Sequence, residues 1–231
     1  MRRAACEAIH VFKRTSLSGG RQEIHSLEVL PGRGPATFSQ QRYLVIPQLL
    51  DPALCSFFWS YAQTKFASRL LRSDSQVPMT PGDYGDPAFD GLLEYLRSSV
   101  QDHSGLRLLP TYSYFRMYKR GDVLARHRDR PACEISVTLN IGQKPLDSWP
   151  IYVQGEGEPR GAELKPGDAL LYRGTELFHW RDAYQGEALV QVFLHYVDRD
   201  GPHAGQKFDG RPSLMRGKAD EPIRGNQEGE P

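Results

Sequence analysis

The sequence predicts a mainly β, α+β fold: a two-sheet jelly roll or barrel of about eight strands, preceded by two helices. After Leu106, β-branched and aromatic runs alternate with turn sequences at 119–122, 155–157 and 165–168. Before Leu106, two Asp-Pro pairs each open a stretch with apolar residues at helical spacing. Helices in that position would cover one sheet from outside.

Composition indicates one globular domain. The chain has 231 residues, 39% of them hydrophobic, and its net charge is +1, so nucleic acid is disfavoured as a partner. Three cysteines without a CxxC pair indicate neither a disulfide framework nor a structural zinc site and favour a reducing, cytoplasmic location. No apolar run is long enough to span a bilayer. The oligomeric state is left open.

Residues 1–37 mix Arg, Gly, Ser and Pro without a sustained apolar period, and we interpret them as a flexible leader. An organelle-targeting peptide is the alternative, although Glu7 and Glu23 interrupt its basic character. A domain is predicted over 38–200, followed by a polar, largely disordered tail over 201–231.

The domain opens with a short strand at 43–46 that Pro47 ends. Asp51 and Pro52 then supply an N-cap and a first helical residue, and the helix is predicted to run to about Leu71.

A polar link over residues 73–84 fits either a lid or an ordinary connection between helices. A second helix is predicted from Asp86 to Gly105, with one apolar face.

The β region is predicted as a meander of short strands separated by turns. The predicted strands are residues 110–118, 123–128, 133–141, 149–154, 161–164, 168–172, 176–180 and 187–197.

One of these strands ends in a candidate metal site. Residues two apart project to the same side of a strand, so His127 and Asp129 can meet at one point. His179, in a later strand, is the best third ligand; His195 and His203 also lie downstream. Two imidazoles and one carboxylate with open positions are typical of non-haem Fe(II) oxygenases, although zinc would also be tolerated.

These motifs resemble the Fe(II)/2-oxoglutarate-dependent dioxygenases, particularly the prolyl 4-hydroxylase-like branch. The matching pieces follow the family order and cover roughly residues 38–200: 118–122, His127-Arg128-Asp129, 136–141, the turn and strand 165–172, and His179. The resemblance implies a double-stranded β-helix core and Fe(II) held by His127, Asp129 and His179. It also implies 2-oxoglutarate as co-substrate, with ascorbate as an aid. The implied reaction hydroxylates an unactivated C-H bond and forms succinate and carbon dioxide.

One departure concerns the co-substrate. Family members usually place a basic residue about one strand-length after the last histidine, to pair with the distal carboxylate, and segment 187–193 has none. Arg116 is the first substitute, because it should share the inward face of its strand with three tyrosines. Tyr118 and Gln191 could add neutral hydrogen bonds. Lys144 and Arg181 are further candidates.

Two other hypotheses stay open. The missing base favours a cupin-like metalloenzyme that does not use 2-oxoglutarate, and loss of turnover would leave a non-catalytic metal-binding module. The sequence does not indicate whether the substrate is a small molecule or a peptidyl group, because loops form the substrate-binding end of such folds.

Overall fold

The structure, a computed structural model, describes residues 25–26, 34–145 and 148–214. The predicted leader and the end of the predicted tail therefore lie mostly outside the described residues. Within the leader, a two-residue strand β1 (His25–Ser26) and the start of helix α1 (Pro35–Gln41) are described. Within the tail, an irregular 3-10 segment (Ala204–Gly210) packs against the β region.

Two longer helices follow the Asp-Pro pairs. Helix α2 (Pro52–Ala67) is capped by the Asp51 carboxylate, which accepts two main-chain N–H groups. Asp86 caps α3 (Pro87–Ser104) in the same way, and Gly105 ends it with a left-handed φ of 72°. Helix α2 ends four residues before the predicted Leu71, because Ser68 leaves the helical path and Arg69 takes a φ of 54°.

The described residues form two strands more than predicted, β1 and a strand at Gly82–Tyr84, both before Leu106. The strands after β1 are β2 (Tyr43–Ile46), β3 (Gly82–Tyr84), β4 (Leu108–Lys119), β5 (Leu124–His127), β6 (Ile135–Lys144), β7 (Ile151–Gln154), β8 (Arg160–Ala162), β9 (Ala169–Arg173), β10 (Phe178–Arg181) and β11 (Ala188–Asp198). The very short β1 and β3 carry too little pattern for sequence analysis to detect.

The strands form two sheets. A minor sheet has the order β1-β8-β7-β10-β5, and a major sheet has the order β2-β9-β6-β11-β4-β3. All pairs are antiparallel except β1 with β8. From β4 to β7 the chain alternates between the sheets, which is the arrangement of a jelly roll. The predicted mainly β, jelly-roll-like fold is confirmed.

The major sheet is buried on both faces. One face packs against α2 and α3 through apolar residues such as Phe58, Phe89 and Phe115. The opposite face points into the sandwich, where Tyr118, Leu189 and other residues pack together. Side chains alternate along a strand, so polar residues on this inner face lie between the sheets. In the described part of the chain, no helix is both long and apolar enough to cross a bilayer.

Candidate metal centre

Strand pairing brings the three predicted metal ligands together. His127 at the end of β5 lies directly opposite His179 on β10 in the antiparallel register. Asp129 Oδ1 lies 3.6 Å from His127 Nε2 and 3.4 Å from His179 Nε2. The three ligand atoms lie within 4.8 Å of one another, as the ligands of one small cation do.

Main-chain carbonyls orient both histidines. His127 Nδ1 lies 2.8 Å from the carbonyl oxygen of Ala125, and His179 Nδ1 lies 3.1 Å from that of Leu177. A carbonyl only accepts hydrogen bonds, so each Nδ1 carries the proton and each Nε2 keeps a free lone pair. This is the arrangement of metal-binding imidazoles, whose second nitrogen donates to an oxygen.

A polar chain supports Asp129 from behind. Ser136 Oγ donates to Asp129 Oδ2 at 2.9 Å and lies 2.9 Å from His195 Nδ1. Asp129 N–H donates to the carbonyl of Gly174 at 2.9 Å, and a Cβ at residue 174 would meet Asp129 Oδ2 at 2.2 Å. Glycine is therefore required there by close approach. His195, with Cys133, also forms a second group around Asp129 that could hold a metal, but it shares that carboxylate with the first.

The charge states of these groups suit a cation site. Burial by itself raises the pKa of Asp129, but His179 and His127 outweigh that effect and hold the pKa well below its usual range. Burial lowers the pKa of His195 to about 4, so this imidazole is neutral near pH 7. The centre therefore offers one anionic oxygen beside two imidazole nitrogens.

The triad lies in a cleft that is open to solvent. Polar and aromatic side chains of β4, including Tyr112, Tyr114 and Arg116, line it together with His195 and Arg130. A segment between α2 and β3 also lines it through Asp74, Ser75 and Gln76. We call residues 74–77 the strap; it lies within the predicted polar link 73–84.

Two strap residues bind the inner face of β4 and the triad. Asp74 accepts a hydrogen bond from Tyr114 Oη and forms an ion pair with Arg116 Nη2 at 2.5 Å. Gln76 Oε1 accepts from Arg116 Nη2 at 2.9 Å, and Gln76 Nε2 lies 2.8 Å from His127 Nε2. The strap thus connects Arg116 with a predicted metal ligand.

Arg116, the first sequence candidate for the co-substrate carboxylate, already has an anion. Its side chain is 3% exposed, and Asp74 opposite it is 9% exposed. Arg116 Nη1 also donates to Tyr118 Oη at 3.2 Å. Burial would lower the pKa of this guanidinium, but Tyr118, Asp74 and Tyr114 outweigh burial, so the pKa lies above its ordinary value.

Arg181 is also buried, but the groups that accept its hydrogen bonds are neutral. It is 2% exposed and donates to the carbonyl of Trp149 at 2.6 Å and to Gln191 Oε1 at 3.0 Å. Among the described residues, no carboxylate forms an ion pair with it, and its Nε has no hydrogen-bond partner. Burial lowers the pKa of Arg181 to about 10. A buried cation without an anion is costly, which makes this a candidate site for an anionic ligand.

Several orphaned polar atoms lie on the same inner face as Gln191. Gln191 on β11 pairs in register with Asn140 on β6 and with Arg116 on β4. The buried atoms without a partner in the described structure include Thr138 Oγ1, Asn140 Oδ1, Arg181 Nε and Gln191 Nε2. Native interiors seldom leave such atoms unpaired, so a polar ligand between the sheets would fit them. Lys144, another sequence candidate, is exposed and lies over the ring of Trp59.

Three features of the site were not predicted from the sequence: the contacts of the strap, the hydrogen bond from Ser136 to Asp129, and the close approach of Gly174 to Asp129. The sequence analysis named His195 only as a downstream histidine. Alternation could have placed Ser136 and His195 on the inward face, since each is an even number of residues from an inward-facing position on its strand. Nothing in a single sequence indicates which loop carboxylate reaches Arg116.

No protein-family model and no curated protein matches the chain. Solved structures do. A Pseudomonas putida prolyl-4-hydroxylase is 18% identical over 72% of this chain and 97% of its own, with a TM-score of 0.58. The epimerase SnoN, in complex with Fe³⁺, alpha ketoglutarate and nogalamycin RO, is 13% identical over 82% and 91%, with a TM-score of 0.61. A Trichoplax adhaerens prolyl hydroxylase, bound to a hypoxia inducible factor peptide fragment, is 11% identical over 72% and 88%, with a TM-score of 0.58.

At these identities the likeness concerns the fold. The chain has the two-sheet fold of the 2-oxoglutarate- and Fe(II)-dependent oxygenases. His127, Asp129 and His179 meet between its two sheets.

Proposed function

We propose that this protein is a non-haem Fe(II)/2-oxoglutarate-dependent oxygenase that hydroxylates an unactivated C-H bond and forms succinate and carbon dioxide. The carrying observation is the convergence of His127 Nε2, Asp129 Oδ1 and His179 Nε2, with both Nδ1 atoms turned to carbonyls. One carboxylate and two imidazoles leave open positions on Fe(II), which supplies the oxygen chemistry when bound.

The chain's own residues hold the metal and keep its surroundings ordered. His127, Asp129 and His179 are the proposed ligands, and Ser136 fixes the carboxylate by donating to its second oxygen. The neutral His195 behind Ser136 adds no positive charge near the cation. Such supporting contacts orient the ligands and tune their basicity.

We propose that Arg181, rather than Arg116, pairs with the distal carboxylate of 2-oxoglutarate. The Nε atoms of both arginines and Gln191 Nε2 are buried without a hydrogen-bond partner, so the distinction lies in the anion: Arg116 is already paired with Asp74, whereas no described carboxylate pairs with Arg181. Tyr118 lies close enough to both arginines to raise the pKa of each. We assign it a neutral hydrogen bond to the co-substrate. An arginine can bind such a carboxylate through two N–H groups at once.

Residues 38–200 are the proposed catalytic domain, and ascorbate is proposed to keep the iron reduced. The substrate is proposed to be a small molecule or a peptidyl group, since similar folds bind nogalamycin RO in one case and a peptide fragment in another. Buried free thiols at Cys55 and Cys133 support the proposed cytoplasmic, reducing environment.

Turnover of the co-substrate tests this function. Purified protein with Fe(II), ascorbate and 2-oxoglutarate should form succinate, even slowly and without substrate. The His127→Ala variant should fall to the level of the protein-free control, because one of three metal ligands is gone. Equal succinate from both proteins, together with no metal-dependent binding of the inert analogue N-oxalylglycine, would contradict the proposal.

A further inference from the structure

The hydrogen bond between Gln76 and His127 has only one consistent arrangement. Arg116 carries donors only, so the amide group of Gln76 must turn its oxygen to Arg116 and its NH₂ to His127. His127 Nδ1 donates to Ala125, so His127 Nε2 must accept. The side chain of Gln76 therefore uses the free lone pair of His127 Nε2.

That lone pair is the one a metal ion requires. An imidazole nitrogen has a single lone pair in the ring plane, and a metal bond and a hydrogen bond cannot both use it. Gln76 Nε2 lies 2.8 Å from His127 Nε2, so its N–H group already uses this lone pair. The hydrogen bond and the metal therefore exclude each other at this atom.

A small set of contacts holds the strap in this position. Asp74 Oδ1 accepts the N–H groups of Gln76 and Val77, which closes a turn within the strap. The strap is tied to the sheets by Asp74 on Arg116 and Tyr114, by Gln76 on His127 and Arg116, and by Val77, which is 2% exposed in the inner core. Met79, just beyond the strap, is 78% exposed.

We propose that the strap is a metal-released latch over the candidate site: Gln76 holds it closed on His127, and metal binding breaks this tie and loosens residues 74–77. Asp74 would then hold the strap through Arg116 and Tyr114, at the mouth of the same cleft. Loading the metal and loosening the wall of the cleft become one coupled event. The inference rests on the proposed function only in requiring a metal at the triad.

Titration with Mn²⁺ alone tests the latch. Mn²⁺ stands lowest in the divalent affinity series, so its dissociation constant falls in a measurable range. Calorimetry would compare the wild type with Gln76→Ala and with Ser73→Ala, an exposed residue next to the strap and outside the cleft lining, as the matched control. Gln76→Ala should bind Mn²⁺ about fivefold more tightly, because the metal no longer displaces a hydrogen bond. Ser73→Ala should match the wild type.

Hydrogen exchange supplies a readout independent of affinity and turnover. Mn²⁺ should speed amide exchange in peptides covering 73–78 of the wild type, while in Gln76→Ala exchange there should already be fast and insensitive to Mn²⁺. Equal Mn²⁺ affinities for wild type and Gln76→Ala, or a wild-type strap whose exchange Mn²⁺ leaves unchanged, would overturn the latch alone. A wild type that binds no Mn²⁺ would overturn the proposed metal centre and the latch with it.

Discussion

Arg116 and Arg181 are two buried guanidinium groups that face the same interior from opposite sheets. Arg116 on β4 is paired with Asp74 from the strap, and its pKa is raised above the ordinary value. Arg181 on β10 has a carbonyl and an amide oxygen as acceptors, and its pKa is lowered to about 10. Burial is similar in the two cases, so the difference comes from the partner. A buried cation whose partner is missing indicates where a ligand carboxylate would bind.

The largest expected effect is on co-substrate binding by Arg181. Replacing Arg181 with Met should weaken metal-dependent N-oxalylglycine binding at least about 30-fold, because removing one partner of a buried charge pair costs at least about 2 kcal/mol. Calorimetry on metal-loaded protein measures it, with Lys144→Met as the matched exposed control.

The same binding assay can also show that Arg116, and not Arg181, binds the co-substrate. If Arg181→Met binds N-oxalylglycine as the wild type does and Arg116→Met does not, then Arg116 is the anchor, as the sequence suggested first. Circular dichroism should show both variants folded before the affinities are compared.

A smaller effect is expected on stability, and it should concern Arg116. Replacing Asp74 with Ala removes the only carboxylate paired with the buried Arg116 among the described residues and should lower the free energy of unfolding by about 2 kcal/mol. Arg181→Met, which exchanges an unpaired charge for an apolar side chain, should leave the free energy of unfolding unchanged or raise it. Urea unfolding of the metal-free proteins measures both. Equal losses of unfolding free energy in Asp74→Ala and Arg181→Met would contradict the difference between a paired Arg116 and an unpaired Arg181.

The smallest effect is a dependence on acid pH. Burial raises the pKa of Asp74, but Arg116 and hydrogen bonds from Tyr114 and Val77 outweigh it, so the folded pKa lies below its unfolded value. The stabilisation by Asp74 is therefore fully present above the unfolded pKa near 4 and is lost as pH falls through the lower folded pKa. Urea midpoints between pH 5 and pH 3 should fall less steeply for Asp74→Asn than for the wild type. Parallel curves would mean that the Arg116 ion pair contributes no such linkage.

Sequence reasoning succeeded where the pattern is local. The Asp-Pro caps located the starts of α2 and α3, and His127 and Asp129 do approach each other as expected, although Asp129 lies two residues beyond the end of β5. It missed α1, β1 and β3, which are too short for a periodic signal, and it extended α2 beyond Ala67. These errors leave the candidate site intact, because His127 and His179 lie on well-patterned strands and Asp129 lies just after β5.

The sequence by itself indicated the mainly β fold, because strand alternation is written in neighbouring residues, and it suggested the candidate ligands through the ordered motifs that contain His127, Asp129 and His179. Only the tertiary structure decided which arginine has an anion. Asp74 reaches Arg116 from 42 positions earlier in the chain, and Gln76 reaches His127 from 51 positions earlier. Such contacts depend on how a loop closes over two packed sheets, and no local preference of the chain encodes that closure.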